Sequence, residues 1–563
     1  MSSLRAARLI LSSALAVIAA AASLSGCATI PSASQVIQGP DIQNQLTNDY
    51  LYYSPAGPVK GESAADILAG FLNASTGPQN DFGVARQYLA PDFRTKWSPN
   101  QMVYIQRGGQ KTKISADGSA TVSLGISATV DAVGHYTVGK TGAKANLHFK
   151  LVQTNGQWRI ASAPNALVMI RPVFEVIFHS YEVYFFDRTY RYLIPDLRWF
   201  PARASTATRL VGALLAGPSP WLSSAIGPLL SSETKLAIDA VTVEKKTALV
   251  NFSSQILQAP RLDLERFAAE IKATLTQLAG VDSVQIQADA VPQKVRDYAP
   301  ASIATGAFAP VILSSGALQQ LIGPAGSRLD NASAWIGQLK VKDFGVTSNE
   351  TGVALVNDKG VYAARLDGTS NPPTLVDTRK ALLSPRYDNR GQLWLVGADG
   401  RIQIIAGKSK PVWLTVPWLK GHTLKAFTIS PEGSRLAAVV VDADGTTRLL
   451  VAAIVRSAAG LATGFGAPIE LSYGVGVPVS IEWAGESGIM VLADISATSS
   501  NVTLLNIGGD PREVGTLDHA TTLMTSSDGT NTYVLDDRGR VMEYQGYTWT
   551  ELQTGVIAAH MAN

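Results

Sequence analysis

The chain contains one cysteine, Cys27, directly preceded by Leu24-Ser25-Gly26. A thiolate is the strongest nucleophile a side chain offers, and the small residues before it leave room for a peptidase at the adjoining bond. Upstream, Arg5 and Arg8 precede an apolar run from Leu9 to Ala22, the layout of a signal peptide. At 14 residues the run is shorter than the ~20 needed to span a bilayer as a helix. Export with cleavage before Cys27 is therefore predicted, and with no second cysteine no disulfide is expected.

Other residues with chemical potential point to little. Gly134-His135-Tyr136-Thr137-Val138-Gly139-Lys140-Thr141 matches a phosphate-binding loop literally. Such a loop needs a helix after it, whereas Ala145–Val152 alternates as a strand, so Lys140 is read as a solvated hairpin residue. The histidines (His135, His148, His179, His422, His519, His560) are scattered singly, and no metal or other cofactor is expected. Asp442-Ala443-Asp444-Gly445 lacks the remaining ligand positions of a calcium loop and reads as a hairpin turn. No G-x-S-x-G elbow occurs, which argues against a serine hydrolase, and Asp536-Asp537 falls in a predicted turn. Asp131 stands as a pocket acid that nothing in the spacing selects. The expectation is a non-enzyme with no catalytic, cofactor or metal residues.

Leu24-Ser25-Gly26-Cys27 resembles the bacterial lipobox. That resemblance implies lipid attachment at Cys27, as an S-diacylglyceryl thioether with N-acylation of the new amino terminus, and hence a bilayer as partner through the acyl chains. Two or more chains hold stably where one, at ~0.8 kcal/mol per buried CH₂, is marginal. Forty-seven basic and 44 acidic residues give a formal charge of +3. Loss of Arg5 and Arg8 with the leader takes this to +1, which argues against a nucleic-acid partner.

The elements that position these residues fall into five stretches: a signal peptide at 1–26, a flexible tether at 27–48, a first α+β domain at 49–170, a second at 171–297, and an all-β propeller at 298–563. The first domain opens with a helix capped by Ser63 and carrying Ile67, Leu68, Phe71 and Leu72 on one face. A second helix is expected from a cap at Asp81, with Val84, Ala85, Tyr88 and Leu89 buried and Pro91 as its stop. Strands around Thr121–Ile126 and Leu147–Val152 follow, the latter turning at Asn155-Gly156 as a type I′ hairpin into Gln157–Ile160. Helices before a curved antiparallel sheet resemble an NTF2-like cone.

From about Val173 long β-rich stretches are expected, then a helix near Thr206–Leu215 ended by Gly217-Pro218, a strand at Leu249–Ser253, a helix from roughly Asp263 to Leu278, and a strand at Val281–Ala288. Ala213–Pro218, Val250–Ser253 and Thr274–Leu278, in that order, resemble the GerMN domain of sporulation and germination proteins.

The last part of the chain repeats. Leu383-Ser384-Pro385 leads to Gln392–Val396, Ser430-Pro431-Glu432-Gly433 to Leu436–Val440, and Ser526-Ser527-Asp528-Gly529 to Tyr533–Leu535. Further hairpins follow at Asp399-Gly400, Asp444-Gly445 and Arg538-Gly539. Weaker copies begin near Val346 and Ile481, and a spacing of roughly 40 to 50 residues suits five or six four-stranded blades. Trp335, Trp394, Trp413, Trp418, Trp483 and Trp549 are expected mostly between sheets, with an interface anchor among them as the alternative.

Lipobox, NTF2-like cone, GerMN and propeller, in this order, resemble the actinobacterial LpqB lipoprotein family across the whole chain. The resemblance implies a protein held on the outer face of the cytoplasmic membrane, acting with the sensor histidine kinase MtrB, through its extracytoplasmic domain, and the response regulator MtrA in envelope homeostasis and division. The alternatives are an envelope glycan- or peptide-binding carrier or hydrolase, and a structural cell-wall adaptor.

Overall fold

The computed structural model describes residues 55–562 apart from 204, 304–308, 322–326, 330–332 and 367–371. Cys27, the leader and the tether lie outside the described residues. Among the described residues no helix is long and apolar enough to cross a membrane.

Ser63 starts the first helix, α1 (Ala64–Ala74), through a reciprocal capping box with Asp66, and its apolar face buries Ile67, Leu68, Phe71 and Leu72. The next segment departs from the expectation. Asn80, Asp81 and Phe82 all take positive φ, so the chain enters α2 (Gly83–Gln87) from Phe82 with no side-chain cap. The Asp81 carboxylate instead pairs with Arg86. Pro91 does not end that helix but opens a separate turn, α3 (Pro91–Arg94), where its missing N–H costs nothing.

These helices cover a sheet in the order 157–162, 144–154, 119–131, 102–114 and 167–170, with 136–138 beside 119–131. Phe71, Trp97 and Phe149 fill the space between, Phe71 and Trp97 lying 5.1 Å apart. Asn155 (φ 53°) and Gly156 (φ 71°) both take the left-handed region, as a type I′ turn requires. The stretch that matched a phosphate-binding loop holds the strand Tyr136–Val138 and the start of a turn, and the strand Lys144–Thr154 follows where a helix would be required.

The second domain starts differently from the reading of a β-rich stretch at Val173. Pro172 and its neighbours form α4 (Arg171–Ile177), whose Phe174 is buried. A two-stranded ribbon follows, Phe178–Phe186 against Leu193–Pro201. Then come α5 (Thr206–Ala216) and α6 (Arg261–Leu275), the latter crossing between two parallel strands, Thr247–Phe252 and Ser283–Ala288. Phe267, Ile271 and Leu275 on α6 pack against Val250 and Phe252. Gly217 ends α5 at φ 88°.

Six sheets of four or five strands, with one helix, α7 (Ser333–Leu339), between the first two, follow in the described chain. Blade 1 takes Val311–Ser314, Ala317–Gln320 and Ser327–Arg328 from its start and Val556–His560 from the carboxyl end. Blades 2 to 6 begin at Asp343, Arg386, Thr423, Val477 and Ala520 and run in sequence order. The turns Ser430–Gly433 and Ser526–Gly529 close as expected, through Gly433 N–H to Ser430 O at 2.7 Å and Gly529 N–H to Ser526 O at 2.8 Å. In blade 3 the turn that feeds Gln392–Val396 is Asp388–Gly391, so Leu383-Ser384-Pro385 stands one strand earlier than expected. The shift has a chemical basis: the Asp388 carboxylate accepts the Gln392 amide at 2.9 Å, as the Ser430 and Ser526 hydroxyls accept Arg435 and Asn531, so aspartate replaces serine in the turn. Trp394 and Trp483 are buried, whereas Trp413 is 53% exposed beneath the Arg379 guanidinium.

Candidate functional site

The ribbon of the second domain touches both neighbours. At its first-domain end Trp199 donates its indole N–H to Gly508 O of blade 5 at 2.7 Å, while its backbone N–H reaches Gly134 O at 2.8 Å. A Cβ on Gly134 would come within 2.8 Å of Phe200 and 3.0 Å of Arg198, so this glycine is needed for packing between domains, not for phosphate. Tyr136 donates to Asp510 at 2.7 Å, and Arg171 pairs with the same carboxylate.

At its other end the ribbon turns through Asp187. This carboxylate accepts the Arg191 and Tyr192 amides at 2.9 and 3.2 Å, the Thr189 hydroxyl at 2.6 Å, and Arg390 of blade 3 at 2.6 Å. Arg390 also lies 4.9 Å over the Tyr192 ring. Tyr192 thereby closes one side of a cavity of about 120 Å³, bounded by Tyr387, Thr428, Glu482 and Thr525 from the first strands of blades 3 to 6. Beyond these, Arg386 of blade 3 pairs with Glu482 of blade 5, and Thr428 donates to that carboxylate at 3.0 Å.

Between these ends, Glu182 accepts the Ser487 hydroxyl at 2.8 Å and Tyr184 donates to Glu486. Burial, with repulsion from Glu486, pushes the Glu182 carboxyl up to about 7 and the Tyr184 phenol above its usual range. Burial also pushes Glu270 on α6 up to about 8, although it accepts the Phe186 amide at 2.7 Å. The adjoining crevice, about 610 Å³, is lined by Tyr184, Leu193, Pro195, Pro431, Arg435 and Asp528. The arrangement can hold and release a proton near neutrality, but its hydroxyls are tied to carboxylates in the docking contacts.

Asp131 borders a second crevice of about 510 Å³ with His135, Trp221 and Glu470. It accepts the Val133 and His135 amides at 3.0 and 2.9 Å and the His135 ring Nδ1–H at 2.7 Å. Burial pushes its carboxyl up, but these bonds outweigh that and leave it below the usual carboxylate range. Asp131 thus shapes a turn and orients a histidine. Glu182, Asp187 and Arg390 were not singled out by the sequence, because each is defined by a partner from another domain. Among the described residues no group of three or more His, Cys, Asp or Glu could hold a metal.

Three family models match successive parts of the chain: the N-terminal domain of lipoprotein LpqB at residues 57–175, the sporulation and spore germination domain at 182–294, and the lipoprotein LpqB β-propeller domain at 316–560. Proteins named lipoprotein LpqB align with it from Bifidobacterium longum (26% identity, 72% of each chain), Cutibacterium acnes (23%, 96% of this chain and 97% of the relative) and Nocardia farcinica (25%, 98% and 96%). Fold and order of parts therefore define a multidomain lipoprotein built from an N-terminal α+β domain, a GerMN domain and a propeller. The chain belongs to the LpqB lipoprotein family.

Proposed function

We propose that the chain is acylated on Cys27, sits on the outer face of the cytoplasmic membrane, and binds the external domain of an MtrB-like sensor histidine kinase so as to bias its signalling. The observation that carries this reading is the way the GerMN domain is held. Asp187–Arg390, Glu182–Ser487, Tyr184–Glu486 and Trp199–Gly508 join it to the propeller by polar bonds and one buried ion pair. Interfaces of this polar kind suit bodies that adjust to a partner.

Family membership supports the anchor, and the anchor supplies the energetics. Confinement to a surface raises the local concentration of the three domains near a membrane sensor, so weak contacts suffice. A protein that binds one sensor state better than another shifts the equilibrium by that difference in affinity and no further.

The test is reconstitution of the sensor in proteoliposomes with the acylated chain or with a Cys27→Ser variant. The acylated protein is expected to change autophosphorylation at concentrations where Cys27→Ser has little effect, and an excess of Cys27→Ser protein to restore the change. Identical autophosphorylation with and without the acylated protein would refute the sensor role, and an unmodified Cys27 in the membrane-bound native protein would refute the anchor.

A further inference from the structure

Most buried arginines of this protein stand against a carboxylate, as Arg198 does with Asp196, Arg435 with Glu432 and Arg456 with Asp388. The seam between the first domain and the GerMN domain is balanced differently. Arg203, just before α5, lies 5.8 Å over the Phe82 ring and reaches Asn100 Oδ1 at 3.5 Å. Arg209, in the first turn of α5, bonds the Ser205 carbonyl through its backbone amide at 3.1 Å, but its guanidinium has no hydrogen-bond or ion-pair partner among the described residues. The Nε atoms of both are buried without a partner.

One nearby carboxylate, Asp81, acts on both arginines. It is already held by Arg86, which also donates Nε–H to the Asp81 carbonyl at 2.9 Å. Three guanidinium groups against one carboxylate leave a surplus of two positive charges, which exposed Asp239 only partly offsets at Arg209. Burial and then repulsion from Arg203 push Arg209 down to about 10, so it stays charged at neutral pH. The amino-terminal end of α5 adds positive potential.

A partly buried cation without a partner is costly, and a protein keeps one where something else completes it. Guanidinium forks match the oxygens of a phosphoryl group, and the surplus of positive charge matches its sign. We propose that Arg203, Arg209 and Asn100 form a binding site for a phosphoryl group, carried on a phospholipid headgroup or on a soluble phosphate ester. The site does not depend on the sensor-binding reading: it lies on another seam and would act with or without that partner.

The experiment uses the unacylated full chain (Cys27→Ser) and its Arg209→Met and Arg209→Lys versions. Thermal unfolding is followed as chloride is exchanged for inorganic phosphate at constant ionic strength. Phosphate is expected to raise the melting temperature of the parent. Its apparent affinity should fall roughly ten- to hundredfold in Arg209→Met, and by less in Arg209→Lys, which keeps the charge and loses the fork. In chloride alone Arg209→Met should melt no lower than the parent, because a cation without a partner has been removed.

Sedimentation with vesicles of phosphatidylglycerol and phosphatidylcholine in equal amounts separates the sources. Parent protein that sediments while Arg209→Met stays in solution identifies a headgroup, and a phosphate response without sedimentation identifies a soluble ester. Equal phosphate responses in parent and both variants, or no response in the parent to either phosphate or vesicles, would overturn the site. Should Arg209→Met lose its native circular dichroism, Arg209→Lys decides alone: a response equal to the parent's counts against the proposal.

Discussion

A carboxyl group taken out of water keeps its proton to a higher pH, and Glu182 and Glu270 stand in that position with no ion-pair partner among the described residues. Their ordinary value is 4.5, and burial lifts them to about 7 and about 8. The folded protein therefore binds more protons than the unfolded chain between those limits. The stability these groups contribute is fully present below about pH 4.5 and is lost as pH rises through about 7 for Glu182 and about 8 for Glu270. Glu270→Gln and Glu182→Gln should unfold at higher denaturant concentration than the parent at pH 9 and show little gain at pH 5, the Glu270 difference reaching a few kcal/mol. Parallel pH curves for parent and variants would count against this account. Neither residue was visible as special in the sequence, since Glu270 reads as one more polar position on a helix. Asp131 was noticed, yet its bonds to His135 and Val133 give it local work in a turn.

Elements were legible where local chemistry decides them. Ser63 announces α1, and Asn155-Gly156 announces a hairpin, because both signals are satisfied within a few residues. The entry to α2 was not legible: Asp81 is a good cap by type, but its carboxylate is taken by Arg86 and its φ is 52°. The ribbon turn at Asp187 was hidden for a similar reason, since its strongest partner lies 203 residues away. Removing one member of this buried pair should cost roughly 3–5 kcal/mol by leaving the other charged and alone. Asp187→Ala and Arg390→Ala are each expected to lower the melting temperature, and the double variant to lie well short of their sum. Faster amide exchange at Arg191 and Tyr192 should accompany Asp187→Ala, because their amides lose an acceptor. Additive losses would mean that the two side chains act separately.

At the scale of the whole molecule, the repeat spacing announced the blades, whereas the two α+β domains before them were placed by resemblance of short stretches. Neither signal announced the closure of the ring. Blade 1 lacks its inner strand until Val556–His560 pairs with Val311–Ser314, and His560 Nε2 then meets Asp343 Oδ1 of blade 2 at 2.6 Å. No repeat signal marks a strand that belongs to a blade begun some 245 residues earlier. Ending the chain after Gly555 should expose the edge of Val311–Ser314 and the apolar surface under Ala558 and Met561. The shortened protein is expected to melt at lower temperature and to form oligomers in light scattering, and a monomer with the parent's melting temperature would show the latch to be dispensable.

That closure also sets an order of events in time. The chain is made from its amino end, so the first domain can settle early, whereas blade 1 waits for Val556–His560 to arrive. Until then a strand able to pair with any passing edge stands unoccupied, and the loop to be shut is nearly half the polypeptide. Completion is thus a single late step, and the propeller's vulnerable interval ends only when Val556–His560 is free to return to the beginning of the ring.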